Sequence, residues 1–324
     1  MPNRSHFNAA HRTMNRLNRE GMHHSSFIDY RVPSKTYQAI FIEDAINFLK
    51  KIPDSSVQLV LIDPPYNLDM ALWDSFSDYM LWARQWLSEI ERILLPSGNV
   101  VIFGGFQFQE VKRGDLLEIT YYLRKYTALR FVNLIIWHYK TGMGAHRFFS
   151  NRHEEIVWFA KTKKYYFDLD SVRIPFDSYT KKLYSRDKRL NPASLEKGKN
   201  PTNVWEVERL SANSTERVGH PTQKPLEIVR RLVKGLSYPG SIVLDFFAGS
   251  GTTARICIEE SRNSILVDND PAILNYLDKH LKNMKLGQYS YEYELLVNPN
   301  LQQVLSLISK ECELTSEAKI STER

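Results

Sequence analysis

The 324 residues are 43% hydrophobic and 25% charged, enough to build one large domain, or a domain with a subdomain, around a sizeable core. No apolar run reaches the roughly 20 residues of a membrane span, the His- and Arg-rich start has no apolar h-region for secretion, and the two cysteines, Cys257 and Cys312, provide neither a disulfide scaffold nor a zinc site. The expectation is therefore a cytoplasmic chain with no metal and no membrane partner, whose net charge of +6 favours an anionic one.

Residues 1–30 contain Arg4, His6, His11, Arg12, Arg16, Arg19, His23 and His24 with almost no apolar periodicity, and read as a weakly ordered basic arm. Regular patterning starts after Tyr37: a strand over 38–42, the acidic turn Glu43-Asp44, an amphipathic helix over 45–51, a turn over 53–55 and an apolar strand over 58–62. Strand, helix and strand in so short a span form a βαβ unit with parallel strands. Asp44 and Asp63 then share the rim beyond the carboxyl ends of the strands, where ligands bind open α/β sheets.

The second strand runs into Asp63-Pro64-Pro65-Tyr66. Two prolines stiffen the loop and remove backbone donors, leaving carbonyls, a carboxylate and a flat ring. Such a loop suits a flat heterocycle that carries an amino group. A polar and aromatic loop over 67–77 follows, then a helix over 78–95 that places Trp82 and Trp86 together as core residues. Further on come a strand over 99–103, a helix over 115–126 and strands over 131–138 and 155–160. The loop between the last two, rich in Gly, Arg, His and Phe, has the composition of a contact surface.

Residues 161–217 lose this regularity. Between 161 and 200 eleven basic side chains stand against five acidic ones, an excess equal to that of the whole chain, and Tyr165, Tyr166, Phe167, Tyr179, Tyr184 and Trp205 are interleaved through the stretch. Rings that stack among cations that neutralise phosphates suit nucleic acid, although a solvated face or a small structural insert has a similar composition. Order returns with His220-Pro221-Thr222-Gln223-Lys224-Pro225, a helix over 226–236, a strand over 241–246, a glycine loop, a helix over 252–260, a strand over 263–268 and a helix to 285. The remaining tail is polar and acidic and shows no readable chemistry.

Gly249-Ser250-Gly251-Thr252-Thr253-Ala254 fits the G-x-G-x-x-G/A fingerprint, and Asp268 ends the next strand, where a carboxylate can hold ribose hydroxyls. The fingerprint alone fits NAD, FAD and S-adenosylmethionine equally. Asp245, inside the preceding strand, would repel a pyrophosphate but hold a cationic amino group, and Asp63-Pro64-Pro65-Tyr66 has no role in hydride transfer. Together these point to an amino-acid nucleoside without phosphate.

Asp63-Pro64-Pro65-Tyr66 followed by Phe247-Ala248-Gly249-Ser250-Gly251 resembles the amino-group DNA methyltransferases of group β, which modify adenine N6 or cytosine N4. The resemblance runs from about residue 37 to 281 and includes Asp44, the segment 220–225 and Asp268-Asn269-Asp270-Pro271; Glu43 departs from the family's usual Gly. The start Asn3-Arg4-Ser5-His6 resembles members that modify GAATTC.

The resemblance implies an α/β, doubly wound, Rossmann-like sheet that uses S-adenosylmethionine and is circularly permuted, with the catalytic half (31–160) before the cofactor half (218–285). Residues 161–217 would be the target recognition region, between a basic arm (1–30) and a C-terminal tail (286–324). Asp63, Pro64, Pro65 and Tyr66 would be catalytic. Asp44 would take the cofactor's adenine end and Asp268 its ribose, while Asp245, Gly249, Ser250, Gly251, Thr222 and Lys224 would take the methionine end; Phe247 would also be cofactor-binding. The implied activity is adenine N6 methylation of a base flipped from double-stranded DNA, in a type II restriction-modification system with a cognate endonuclease. A homodimer and association with the nucleoid are compatible with it. Cytosine C5 chemistry is excluded, because it needs a Pro-Cys nucleophile and neither cysteine follows a proline. Cytosine N4 methylation remains an alternative, as do an oxidoreductase and an inert DNA-binding protein of the same fold.

Overall fold

The structure, a computed structural model, describes residues 28, 30–68, 74–106, 114–142, 144–187, 192–284 and 292–320. The expected basic arm, including Asn3-Arg4-Ser5-His6, lies almost wholly outside the described residues. Among the described residues nine strands form one sheet: β1 (Lys35–Ile42), β2 (Val57–Ile62), β3 (Leu94–Gly104), β4 (Arg130–His138), β5 (His153–Ala160), β6 (Val204–Glu206), β7 (Ile242–Asp245), β8 (Asn263–Asp268) and β9 (Glu292–Val297). Their order across the sheet is β6-β4-β5-β3-β2-β7-β8-β1-β9. Among the described strands only β5 runs against the rest, pairing antiparallel with both β3 and β4.

Alternation along the central strands explains why both faces of the sheet are covered. Val60 and Ile62 of β2 and Val100 and Ile102 of β3 face one core, which they share with Trp86, Leu87 and Ile90 of α2 (Tyr79–Ile93). Leu59, Leu61, Val101 and Phe103 face the other, against α7 (Leu226–Leu236) and α8 (Thr252–Glu259). Strands buried on both faces read as continuous apolar runs, as residues 59–62 of β2 do.

Several local signals hold at atomic detail. Asp44, Asp78 and Asp115 each accept a backbone N–H in the first turn of their helices, α1 (Ala45–Leu49), α2 and α3 (Leu116–Tyr126), satisfying a donor that a helix start leaves orphaned. β1 and β2 are parallel, as the βαβ reading requires, but β7 and β8 lie between them.

Residues 161–217 differ from their expected irregularity. They form the short helices α4 (Leu169–Val172), α5 (Ser178–Tyr184) and α6 (Pro192–Lys197), and β6 joins the edge of the main sheet beside β4. Tyr166 and Trp205 are buried, and Tyr165 and Phe167 pack against the second core. Of the interleaved aromatics, Tyr179 and Tyr184 stay exposed. The tail also contributes structure: β9 pairs with β1, and α10 (Leu301–Ile320) buries Leu301, Val304 and Ile308 against the first core. That one-sided spacing is helical.

Candidate functional site

Where β2, β7, β8 and β1 end, their loops enclose a cavity of about 300 Å³, within the size range of small-molecule sites. β2 and β7 are neighbours paired in register, Leu59 with Val243 and Val60 with Leu244. The loop 63–66 therefore leaves the sheet beside the loop 246–251. Twelve of the thirteen expected site residues line the cavity: Asp44, Asp63, Pro64, Pro65, Tyr66, Thr222, Lys224, Asp245, Phe247, Gly249, Ser250 and Asp268. Gly251 is the exception. It caps α8 in a left-handed conformation (φ 75°) and abuts Leu277, so its place in the pattern is conformational.

The proline loop is braced from behind. Asp74, buried, accepts the N–H groups of Asn67 and Leu68 at 2.7 and 2.9 Å, while Asn67 and Phe76 exchange two further bonds. The Gly114 N–H binds the Tyr66 carbonyl at 2.8 Å. Asp63 is held forward with both oxygens engaged: the Tyr66 hydroxyl donates to Oδ1, and Lys224 Nζ lies 2.5 Å from Oδ2. Lys224, expected at the methionine end, thus meets Asp63 here, with Glu154 3.7 Å away on its other side.

These contacts set the protonation states. Burial, then the Asp63 charge, pushes the Tyr66 phenol well above its usual range, so it donates as a neutral hydroxyl. Burial opposes the Lys224 charge, but the carboxylates of Asp63 and Glu154 more than offset this and keep it protonated. Burial likewise raises Glu154.

The glycine loop presents the opposite chemistry. Gly249 (φ 47°) donates its N–H to Asp268 Oδ2 at 2.7 Å, and a Cβ there would stand 3.0 Å from the His220 ring. Asp245 accepts from Thr253 Oγ1 at 2.6 Å and from the Phe247 N–H at 3.2 Å. Burial raises its carboxyl to about 7. Seven carboxylates line the cavity against one lysine. A cationic ligand fits this field, and an ammonium group beside Asp245 would draw that carboxyl back to its ionised form.

Sequence reasoning missed several lining residues. Trp82, expected with Trp86 in the core, lines the cavity, stacking on Phe76 at 4.1 Å and tilting against Phe247 at 5.6 Å; Trp86 is buried as expected. His220 sits edge-on to Tyr276 at 5.3 Å. His220 lies in a segment already singled out, whereas Tyr276 and the Lys224 neighbour Glu154 carry no local signal. Among the described residues no group of three or more His, Cys, Asp or Glu could hold a metal ion.

Residues 57–279 match the model of the N6/N4 methyltransferase family, described as DNA methylase. The chain is 34% identical to the type II methyltransferase M.BglII of Bacillus subtilis over 69% of its own length, and spans 63% of that relative, under two thirds. It is 30% identical to the DNA adenine methyltransferase YhdJ of Escherichia coli K12, covering 69% of this chain and 76% of the relative. The solved PvuII DNA methyltransferase, a cytosine-N4-specific enzyme, superposes with a TM-score of 0.57 at 17% identity over 88% of this chain and 97% of its own, a likeness of fold.

Proposed function

The chain belongs to the N6/N4 DNA methylase family, and from that premise we propose that it methylates adenine N6 at a specific site in double-stranded DNA, as the modification enzyme of a type II restriction-modification system. One observation carries the reading: the loops bearing Asp63-Pro64-Pro65-Tyr66 and Gly249-Ser250 leave adjacent strands and line one acidic cavity. S-adenosylmethionine, when bound, supplies the electrophilic methyl group. The buried Asp245 and the glycine loop suit its methionine end, Asp268 its ribose, and Asp44, at the start of α1, its adenine end.

An exocyclic amino nitrogen is a poor nucleophile because its lone pair is delocalised into the ring. Asp63 and the Pro64 carbonyl, accepting both of its N–H bonds, oppose that delocalisation and stabilise the positive charge that develops on nitrogen. Asp63 need not be a strong base, since the proton can leave after the methyl is in place. An incoming amino group must share or take the Asp63 oxygens now held by Tyr66 and Lys224. The Tyr66 ring offers a stacking face to a base flipped from the duplex, and holding both reactants in place supplies much of the acceleration.

Asp63 as the first residue of the tetrapeptide favours adenine over cytosine N4, and the adenine methyltransferase relative supports that choice. Tritium transfer from labelled S-adenosylmethionine to unmethylated DNA, with a GAATTC-containing duplex as one substrate, followed by nucleoside analysis, tests the proposal. N6-methyladenine is expected. N4-methylcytosine would move the substrate to the other base, and no labelled nucleoside would overturn the reading.

A further inference from the structure

The loop joining β4 to β5 contributes nothing to the cavity, yet it rises from the cavity's mouth. Because β5 runs antiparallel to β3, it begins at the rim where β2 and β7 end. Glu154, its second residue, lies 3.7 Å from the lysine that holds Asp63. The Tyr139 N–H closes the neck of the loop on the Arg152 carbonyl at 2.9 Å, and the Ala145 N–H closes its tip on Ser150 Oγ at 3.0 Å. Out of that closed tip stand Phe148, 61% exposed, and Phe149, 100% exposed. No carboxylate occurs between residues 140 and 152, whereas His146, Arg147 and Arg152 flank the two rings.

Single exposed apolar residues are common, but two adjacent phenylalanines held at a cationic tip form a surface that gains by meeting an anionic and aromatic partner. A duplex from which one base has been extruded has both features: phosphates, and a vacancy between stacked bases. Apolar wedges fill such gaps and offset part of the unstacking cost. Resting on the proposed base-methylating function, we propose that Phe149 inserts into the duplex at the position the target base vacates, with Phe148 beside it and Arg147 on the flanking phosphates. The loop's first residues, Lys140 and Thr141, are held by Glu206 and Glu208, so this surface adjoins residues 161–217.

The test uses the full-length chain. Its methylated site is first mapped by sequencing bacteriophage DNA treated with the enzyme. Two duplexes carrying that site are then compared, one fully paired and one with an abasic position opposite the target base. Phe149→Ala is expected to lower kcat/KM on the paired duplex by about tenfold or more and on the abasic duplex by less than about threefold, because removing the partner base lowers the cost of flipping. Phe149→Trp should keep most of the activity on both, and S-adenosylmethionine binding should be unchanged in both variants. Equal losses on the two duplexes, no loss on either, or a change of oligomeric state in Phe149→Ala would overturn the wedge while leaving the methyltransferase reading intact. Absence of methyl transfer by the unaltered chain would overturn both.

Discussion

The loops that follow β2 and β7 leave neighbouring strands at one rim, yet they are built from opposite backbone chemistry. After β2, two prolines remove N–H donors and leave acceptors, and the loop is fixed from outside through Asp74, Asn67 and Gly114. After β7, glycines at positive φ turn the backbone sharply, and the loop is fixed through two carboxylates, Asp268 on the Gly249 N–H and Asp245 on the Phe247 N–H. The first is therefore suited to a neutral group that donates, and the second to a ligand that needs close backbone approach. On the proposed function, placing the two side by side would bring two unlike reactants together without either loop having to serve both.

That division of labour can be broken one loop at a time. Asp63→Ala should lower methyl transfer by about 10²–10³-fold, the scale on which a transition-state stabiliser acts, while calorimetry still shows S-adenosylmethionine binding. Comparable loss of both would mean that the loops do not divide their work. On the other side, Gly249→Ala forces a left-handed residue to carry a Cβ against His220. It should cost about 1–2 kcal/mol of stability in thermal unfolding, and weaken cofactor binding by about tenfold, as 1.4 kcal/mol of strain relieved by a shifted loop would require.

Asp245 allows a finer test. Its carboxyl, raised from 3.8 to about 7 by burial, holds a proton in the ligand-free fold that the unfolded chain has already lost. Its contribution to stability is thus fully present below about pH 4 and disappears as the pH rises through 7. Binding of a cationic amino group runs the other way. Affinity for S-adenosylmethionine should rise about tenfold between pH 6 and pH 8, as the ionised fraction goes from about one tenth to nine tenths. Asp245→Asn should flatten that dependence in calorimetric titrations. The smallest effect is expected from Tyr66→Phe, which removes the hydroxyl bond to Asp63 but keeps the ring. A fall in kcat below about fivefold, within the worth of one hydrogen bond, would place the contribution of Tyr66 in its ring; a much larger fall would place it in the hydroxyl.

Both loops were legible because each is a short run of residues whose backbone limits are severe: prolines that cannot donate, and glycines that alone adopt positive φ without strain. The carboxylates Asp44, Asp245 and Asp268 were legible for a related reason, since each stands at or beside a strand end. Long-range partners were not. Lys224 lies 161 positions from Asp63 in the chain, and nothing near it foretells that contact or the approach of Glu154. Trp82 and Trp86 looked alike on one helix, and both meet the first core, yet Trp86 is buried within it while Trp82, one turn earlier, packs on its edge and also lines the cavity.

The sequence by itself determined the strand and helix pattern over residues 38–160 and 226–282, the two loops and their chemistry, since these follow from φ restrictions, hydrogen-bonding capacity and apolar period within a few residues. Only the tertiary structure decided which strands became neighbours. It set β7 and β8 between β1 and β2, drew β6 and β9 onto the edges of the sheet, and buried Tyr166 and Trp205 from a stretch that reads as surface. Pairing and burial depend on every apolar face finding cover at once, and no local window of residues contains that information.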